Sequence, residues 1–334
     1  MVMRILLFLA ALLGASALQA SPAARALSVL ADAAGDDVRG IVAADAAVPL
    51  LPLSAYWIGA GFRSWLGGDA SVIVGRDPRM SSEALGAALC RGARGRDAGL
   101  ATTPAMLEAL LADPAAHAGS IMVTASHLPA QWNGFKFFSS ALGRGLGRSE
   151  VAEVLAAAVA LAADETGVKT RADPPLGGLM KAYAAKLRAA VSAAARDAGA
   201  APLAGLSVCV NPGSGAGGFF AEKVLAPLGA DVSSSINLEP DGAFPAHPAN
   251  PADAAHVAAT LEAVAAAGAD VGVMLDTDAD RCGLIDGLAG AAVAGSPLVA
   301  LCAAVRSSRV QYSSGTPGTP RSVRRSRSKK TGRA

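Results

Sequence analysis

Short apolar runs alternate with amphipathic stretches through the middle of this 334-residue chain. Residues 71–74, 120–123, 206–210 and 271–275 are apolar and brief, the pattern of strands buried on both faces. Helical start and stop signals lie between them. Ser81 or Ser82, with Glu83 behind it, opens a helix predicted to reach about Arg94. Thr103 as N-cap, with Pro104 at the first helical position, opens another through Ala112. Further helices are predicted over residues 149–163, 179–198, 219–228 and 252–267. Strand, polar loop and helix recur in this order in each half, which argues for an α/β fold with parallel sheets covered by helices.

Composition marks the boundaries. Residues 164–178 are rich in Gly, Pro and charge and read as a linker. From Arg306 onward, Ser, Thr, Pro and Gly give way to an Arg/Ser/Lys run that cannot bury a core, so 306–334 read as a disordered basic tail. The formal charge of +2 hides this division: nine of the 29 Lys and Arg, and none of the 27 Asp and Glu, lie in the tail. The remaining body is acidic, which argues against nucleic acid as its general partner. The hydrophobic fraction is 52% but aromatics are only 4%, so Ala, Leu and Val must build the core. Cys90, Cys209, Cys282 and Cys302 form no C-x-x-C pair, and neither a zinc site nor a redox motif is indicated. Cys90 and Cys209 sit in apolar runs as buried thiols.

The N-terminus has the organisation of a leader. A basic start, an apolar run over residues 5–13 and Ala15-Ser16-Ala17 read as a secretory signal peptide, residues 1–17. The apolar run is too short for a membrane span, and no other segment is long and apolar enough. Residues 18–35 are Ala-rich with Arg25 and suit a transit segment. Together they resemble the bipartite leader of algal plastids ringed by extra membranes, with secretion as the alternative.

Two strand ends carry chemistry. The run ending at Val123 is followed by Thr124-Ala125-Ser126-His127-Leu128-Pro129 and then Asn133-Gly134-Phe135-Lys136. A hydroxyl, a proton carrier and a cation on one loop suit a covalent phosphoryl carrier; a polar turn is the bland alternative. The run ending at Leu275 is followed by Asp276-Thr277-Asp278-Ala279-Asp280-Arg281. Alternate carboxylates on a loop that curls can converge on a hard cation such as Mg²⁺. Arg281 lies where it could pair with phosphate oxygens. The sixth position lacks the Gly, and the twelfth the Glu, that a calcium loop needs.

Taken with Asp37-Val38-Arg39-Gly40, Gly75-Arg76-Asp77 with Arg79 and Ser81-Ser82, and Ala101-Thr102-Thr103-Pro104-Ala105, these loops resemble the α-D-phosphohexomutase superfamily, the phosphoglucomutases and phosphomannomutases, over residues 36–301. The resemblance implies tandem three-layer α/β/α domains with mixed, mostly parallel sheets, the first two of four such domains. Domain I would span 36–172 and domain II 173–288, with 289–305 the start of a truncated domain III. It implies that Ser126 carries the phosphoryl group and that Asp276, Asp278 and Asp280, with the Ser126 phosphate, hold Mg²⁺. His127, Lys136, Arg39 and Arg281 would assist proton transfer and charge neutralisation, and Arg76 would bind phosphate. The substrate would be a phosphorylated hexose, its phosphate moved between the C1 and C6 oxygens through a hexose 1,6-bisphosphate that also serves as activator. Without the later domains the chain is expected to be a weak or inactive mutase. Residues 91–99 depart from the family: they are too short and polar for a helix end plus a strand, so the first sheet is expected to lack one strand.

Three other readings remain open on residues alone. Gly213-Ser214-Gly215-Ala216-Gly217-Gly218 matches G-x-G-x-x-G between a strand and a helix, with Asp231 and Glu239 downstream, and suits an NAD(P)-binding Rossmann unit. A strand ending in D-x-D also suits a haloacid-dehalogenase-type phosphatase with Asp276 as nucleophile. The basic tail could bind a polyanion. His117, His247 and His256 have no partner pattern and are placed at the surface or at helix ends.

Overall fold

In a computed structural model, residues 21–164, 171–195, 199 and 201–312 are described. The expected signal peptide, residues 165–170 of the linker and residues 313–334 of the basic tail lie outside the described residues.

The first α/β layer system contains α1 (Pro22–Ala33), β1 (Val38–Ile41), α2 (Pro52–Trp65), β2 (Val72–Arg76), α3 (Ser82–Ala93), β3 (Arg96–Leu100), α4 (Thr103–Ala112), β4 (Gly119–Val123), β5 (Trp132–Ser139), β6 (Arg144–Gly145) and α5 (Arg148–Ala163). Its sheet runs β1-β5-β4-β2-β3, with β6 on β5. Strand alternation explains the continuous apolar runs. Val72, Val74, Ile121, Val123, Phe135 and Phe137 face α1, α2, α3 and α5, while Ile73, Met122 and Phe138 face the other side with Met106 and Leu110 of α4. Each such fully buried side chain contributes about 2 kcal/mol.

The sheets are mixed, with fewer parallel pairs than expected. β2 is parallel to β3 and β4, but β5 is antiparallel to both β4 and β1. Residues 124–131 are too few for the crossover of a dozen or more residues that a parallel neighbour requires.

The strand expected to be missing is present as β3. Its polarity reflects its place: it is the edge strand, β2 is its one strand neighbour, and its residues are half-buried up to the exposed Leu100. The expected linker seals that edge. Asp173 N–H donates to Gly95 O at 3.1 Å and Leu176 N–H to Asp97 O at 2.8 Å. The helix before it ends as predicted, with Arg94 at φ 51 as a left-handed cap.

The segment assigned to a transit peptide is corrected over its folded part. Ser21 caps α1, and Ala24, Leu27 and Leu30, spaced along one face, are fully buried against the α2–α5 side of the core. Ser21 Oγ also donates to Ala162 O at 3.1 Å. Residues 22–33 are therefore part of domain I.

The second layer system comprises α6 (Leu179–Ala194), β7 (Val208–Asn211), an irregular helical segment over residues 216–228, α7 (Ala254–Ala267), β8 (Val271–Leu275), β9 (Cys282–Asp286) and β10 (Ala291–Ala292). Its sheet order is β10-β9-β8-β7, with only β7 and β8 parallel. A regular helix is expected over 219–228; the chain instead passes from a tight 3-10 turn at 216–218 into a wide π turn and back to 3-10, with Pro227 in the last turn removing one backbone donor. The β9–β10 hairpin carries this sheet past the expected boundary at 288, to Ala292. A separate unit begins at Val293 and contains α8 (Gly295–Tyr312), whose backbone is helical through the first residues assigned to the disordered tail.

His256 lies in the first turn of α7, one of the two places expected, but it and His247 are buried. Their rings stack with centroids 4.3 Å apart. Asn211 Nδ2 donates to Thr260 Oγ1 at 3.0 Å and lies 3.1 Å from His247 Nε2, and His256 Nε2 donates to Asn211 O at 3.1 Å. Burial, above all, holds His256 down at about 4, against an ordinary 6.5. The depressed value means that the unfolded chain takes up a proton first. Stability is full above pH 6.5 and is lost as pH falls toward 4. The loss expected from this group is about 3 kcal/mol. Urea denaturation at pH 7 and pH 4 should show that loss in the wild-type chain and a shallower one in His256→Gln, which keeps a donor toward Asn211 O. Equal slopes in the two proteins would remove His256 as the cause.

Candidate active site

Both chemistry-bearing loops leave the C-terminal ends of central parallel-paired strands, β4 and β8, where open α/β sheets place ligand sites. The tertiary fold brings them together. Ser126 is fully buried, and its hydroxyl donates to Asp276 Oδ2 at 2.8 Å. Ser126 sits at φ 53, a left-handed conformation uncommon for a non-glycine residue. Its N–H donates to Thr124 Oγ1 at 2.8 Å, which holds the loop's first turn.

The Asp loop turns at Ala279, φ 56, where Ala279 N–H donates to Asp276 O at 3.0 Å. Two neighbours anchor its backbone: Thr103 N–H donates to Asp278 O at 2.9 Å and Ala216 N–H to Thr277 O at 2.8 Å. Thr103 also gives its hydroxyl to Asp278 Oδ2 at 2.6 Å. It is therefore a site residue rather than the α4 N-cap; Thr102 takes that role, accepting from Ala105 N–H. One carboxylate oxygen from each of Asp276, Asp278 and Asp280 lies within 4.8 Å of the others.

The donor set fits a hard cation. Asp276 and Asp278 are fully buried, and Asp278 Oδ1 has no hydrogen-bond partner. Burial, followed by repulsion from Asp278 and Asp280, raises the Asp276 carboxyl to about 7. Burial also opposes ionisation of Asp278, but Lys136 and its hydrogen bonds outweigh it and hold that carboxyl below its usual value. A buried orphan oxygen beside two further carboxylates is the all-oxygen environment that suits Mg²⁺.

The cations divide unequally. Lys136, on β5, donates to Asp278 Oδ2 at 2.7 Å and Asp280 Oδ2 at 2.5 Å. Arg281 donates to His127 Nδ1 at 2.6 Å, which leaves His127 with an accepting Nδ1 3.5 Å from the Ser126 hydroxyl. Burial, then the Arg281 and Arg39 charges, lower the His127 pKa, so the ring is neutral near pH 7. Arg39 reaches the serine loop, donating to Ala125 O at 2.8 Å while paired with Asp37. Arg76 does not join them. Its guanidinium pairs with Asp97 at 2.9 Å on the edge strand, so the phosphate role assigned to it has no support in this arrangement. Arg79, three residues on, is the group turned into the site. It is 2% exposed, ion-paired with Asp77, and donates to the carbonyls of Ser126 and Leu128 at 2.6 and 2.8 Å. The G-R-D-x-R spacing held the signal for Arg79, but residue types alone do not rank one arginine above the other.

A model of phosphoglucomutase/phosphomannomutase α/β/α domain I matches residues 33–161, and one of domain II of the same enzymes matches residues 181–290. The chain belongs to the phosphoglucomutase/phosphomannomutase family. It is 37% identical over 246 residues to a phosphoglucosamine mutase of Frankia casuarinae, covering 71% of this chain and 50% of that protein. It is 30% identical over 262 residues to a phosphomannomutase/phosphoglucomutase of Pseudomonas putida, covering 75% and 50%. The chain thus spans about half the length of these curated relatives. Its fold is also that of a family protein from Burkholderia thailandensis, with a TM-score of 0.62 and 23% identity over 78% of this chain and 55% of the other.

Within this family fold the glycine-rich turn has a packing role, and the dinucleotide reading is withdrawn. A Cβ on Gly215 would lie 2.8 Å from Thr277 Cα, one on Gly217 2.6 Å from Leu275 Cδ1, and one on Gly218 2.0 Å from Leu238 O. The glycines let the turn press against the Asp loop, and the space a pyrophosphate would need is filled by protein.

Proposed function

We propose that this chain carries the phosphoryl-transfer centre of a hexose-phosphate mutase, with Ser126 as the covalent carrier. The observation that supports this most is the buried Ser126 hydroxyl 2.8 Å from Asp276, inside a three-carboxylate cluster flanked by Lys136, Arg39 and Arg281. Transfer of phosphate from a hexose 1,6-bisphosphate would form a P–O bond to Ser126 Oγ and break one to the sugar. The hydroxyl proton ends on the released sugar oxygen. Asp276 Oδ2, which accepts from the Ser126 hydroxyl at 2.8 Å, would hold that proton in passage, and the neutral His127 would share it once Arg281 releases its Nδ1. Lys136, Arg39 and Arg281 orient the reacting group and offset its charge. Asp276, Asp278 and Asp280 would hold Mg²⁺, which supplies positive charge against the phosphoryl oxygens. In the reverse transfer the phosphoserine gives its phosphate to the free oxygen of a hexose monophosphate, regenerating the bisphosphate and freeing Ser126. When Ser126 then takes the bisphosphate's other phosphate the isomeric monophosphate is left, so the net reaction interconverts hexose 1-phosphate and hexose 6-phosphate.

The test is peptide mapping after incubation with Mg²⁺ and glucose 1,6-bisphosphate. One phosphate on Ser126 is the expected result. Phosphate on Asp276 would instead favour dehalogenase-type chemistry, and no incorporation would overturn the proposal. Turnover is then compared for glucose, mannose and glucosamine 1-phosphates, the last because of the Frankia relative's name. We also propose that residues 1–17 lead the chain into the secretory pathway; a reporter fused behind them that stays in the cytosol would dismiss this.

A further inference from the structure

The bulkiest fully buried side chain among the described residues is a cation, Arg79. All five of its N–H donors are used. Nε donates to Asp77 Oδ2 at 3.0 Å; one terminal nitrogen donates to Pro129 O at 2.7 Å and Trp132 O at 3.2 Å; the other donates to Ser126 O at 2.6 Å and Leu128 O at 2.8 Å. The serine loop is wound around one guanidinium through four carbonyls. It has no regular secondary structure of its own to hold Ser126 in its left-handed conformation.

The second domain covers that guanidinium. The Phe244 ring lies over Arg79, with 5.2 Å from Cζ to the ring centroid. Phe244 is itself at φ 50, a strained conformation for an aromatic residue. Gly242 permits the approach: a Cβ there would stand 2.3 Å from Pro78 O and 2.7 Å from Arg79 Cα. The Phe244 loop is tied to the metal loop as well. Phe244 N–H donates to Asp241 O at 3.1 Å, Asp241 N–H to Ser214 O at 2.8 Å, and the same glycine-rich turn donates from Ala216 N–H to Thr277 O at 2.8 Å. A continuous set of contacts therefore joins the Asp loop to the serine loop by a route separate from the Ser126–Asp276 hydrogen bond.

We propose that Arg79 is a positioning residue for Ser126 and that Phe244, reaching across from the second domain, makes this positioning depend on the docking of the two domains. The inference rests on the phosphoserine reading for its kinetic consequence and on geometry alone for its structural one. Lysine cannot replace Arg79, because a compact ammonium has three donors and no planar fork for four carbonyls. Leucine at 244 keeps apolar bulk but removes the ring face that attracts the cation.

The experiment compares wild-type chain, Arg79→Lys and Phe244→Leu by amide hydrogen exchange and by the rate of Ser126 phosphorylation from glucose 1,6-bisphosphate. In Phe244→Leu, exchange over residues 125–132 should accelerate about ten-fold while β2 and β4 keep wild-type protection. Phosphorylation should slow by a similar factor, with the half-saturating bisphosphate concentration within about two-fold of wild type. Arg79→Lys should show the same pattern more strongly; if it does not fold, Phe244→Leu decides alone. Unchanged exchange over 125–132 would overturn the proposal. So would protection lost equally through β2 and β4, which would make the contact ordinary core packing. If the wild-type chain takes no phosphate, the functional reading fails, and the exchange data still decide the role of Arg79.

Discussion

Replacing Ser126 with alanine should abolish phosphate incorporation while leaving the fold intact. The side chain is fully buried, and its hydroxyl makes one short hydrogen bond, to Asp276. Loss of that bond costs about 1 kcal/mol, because it releases a carboxylate that Arg281 N–H still supports at 3.0 Å. The chemical loss is far larger, since removing a nucleophile eliminates the covalent route altogether. A neighbouring hydroxyl, Thr124, accepts from Ser126 N–H and is not expected to substitute. Intact-mass measurement after incubation with bisphosphate and Mg²⁺ should show no phosphorylated Ser126→Ala, and thermal denaturation should stay near wild type. A fully phosphorylated Ser126→Ala would place the acceptor elsewhere.

Asp278→Asn should weaken Mg²⁺ binding by about 100-fold, the largest effect expected among the three aspartates. Asp278 is fully buried. It receives Thr103 Oγ1 and Lys136 Nζ on one oxygen and offers the other with no partner. Asparagine removes the charge and gives Lys136 a neutral neighbour. The Lys136–Asp280 pair survives, so the stability cost should fall near the low end for breaking a buried ion pair, about 3 kcal/mol. Isothermal titration with Mg²⁺, alongside urea denaturation, separates the two effects. Wild-type metal affinity in Asp278→Asn would remove this carboxylate from the ligand set. In the wild-type chain Mg²⁺ should raise the melting temperature, because a bound cation offsets the burial, and the repulsion between carboxylates, that now lift Asp276 to about 7.

The cases where sequence reading succeeded share a local cause. The apolar runs at 120–123 and 271–275 are buried on both faces, so hydropathy alone marks them as central strands. The Ser and Asp loops then follow from chain order. Reading failed where the deciding partner is remote in sequence. β3 is polar because it is an edge strand sealed by residues 173–176, and Asp97 on it draws away the arginine that resembles a phosphate ligand. His256 reads as a surface or helix-end residue among alanines; it is at a helix end, but the backbone carbonyl of Asn211 and the ring of His247 make it a buried one. The glycine-rich turn matches a dinucleotide pattern, but its close approach is to Thr277 and Leu275 of the same protein.

The amino-acid sequence by itself determined which chemistry leaves which strand end, because strand burial and turn composition are set by neighbours a few residues apart. Only the tertiary structure decided that Ser126 and Asp276, 150 residues apart, share a hydrogen bond, and that Arg79 rather than Arg76 holds the serine loop. The physical reason is that guanidinium and carboxylate groups have no intrinsic destination. Their roles depend on which partners the packed sheets bring within about 3 Å and shield from water.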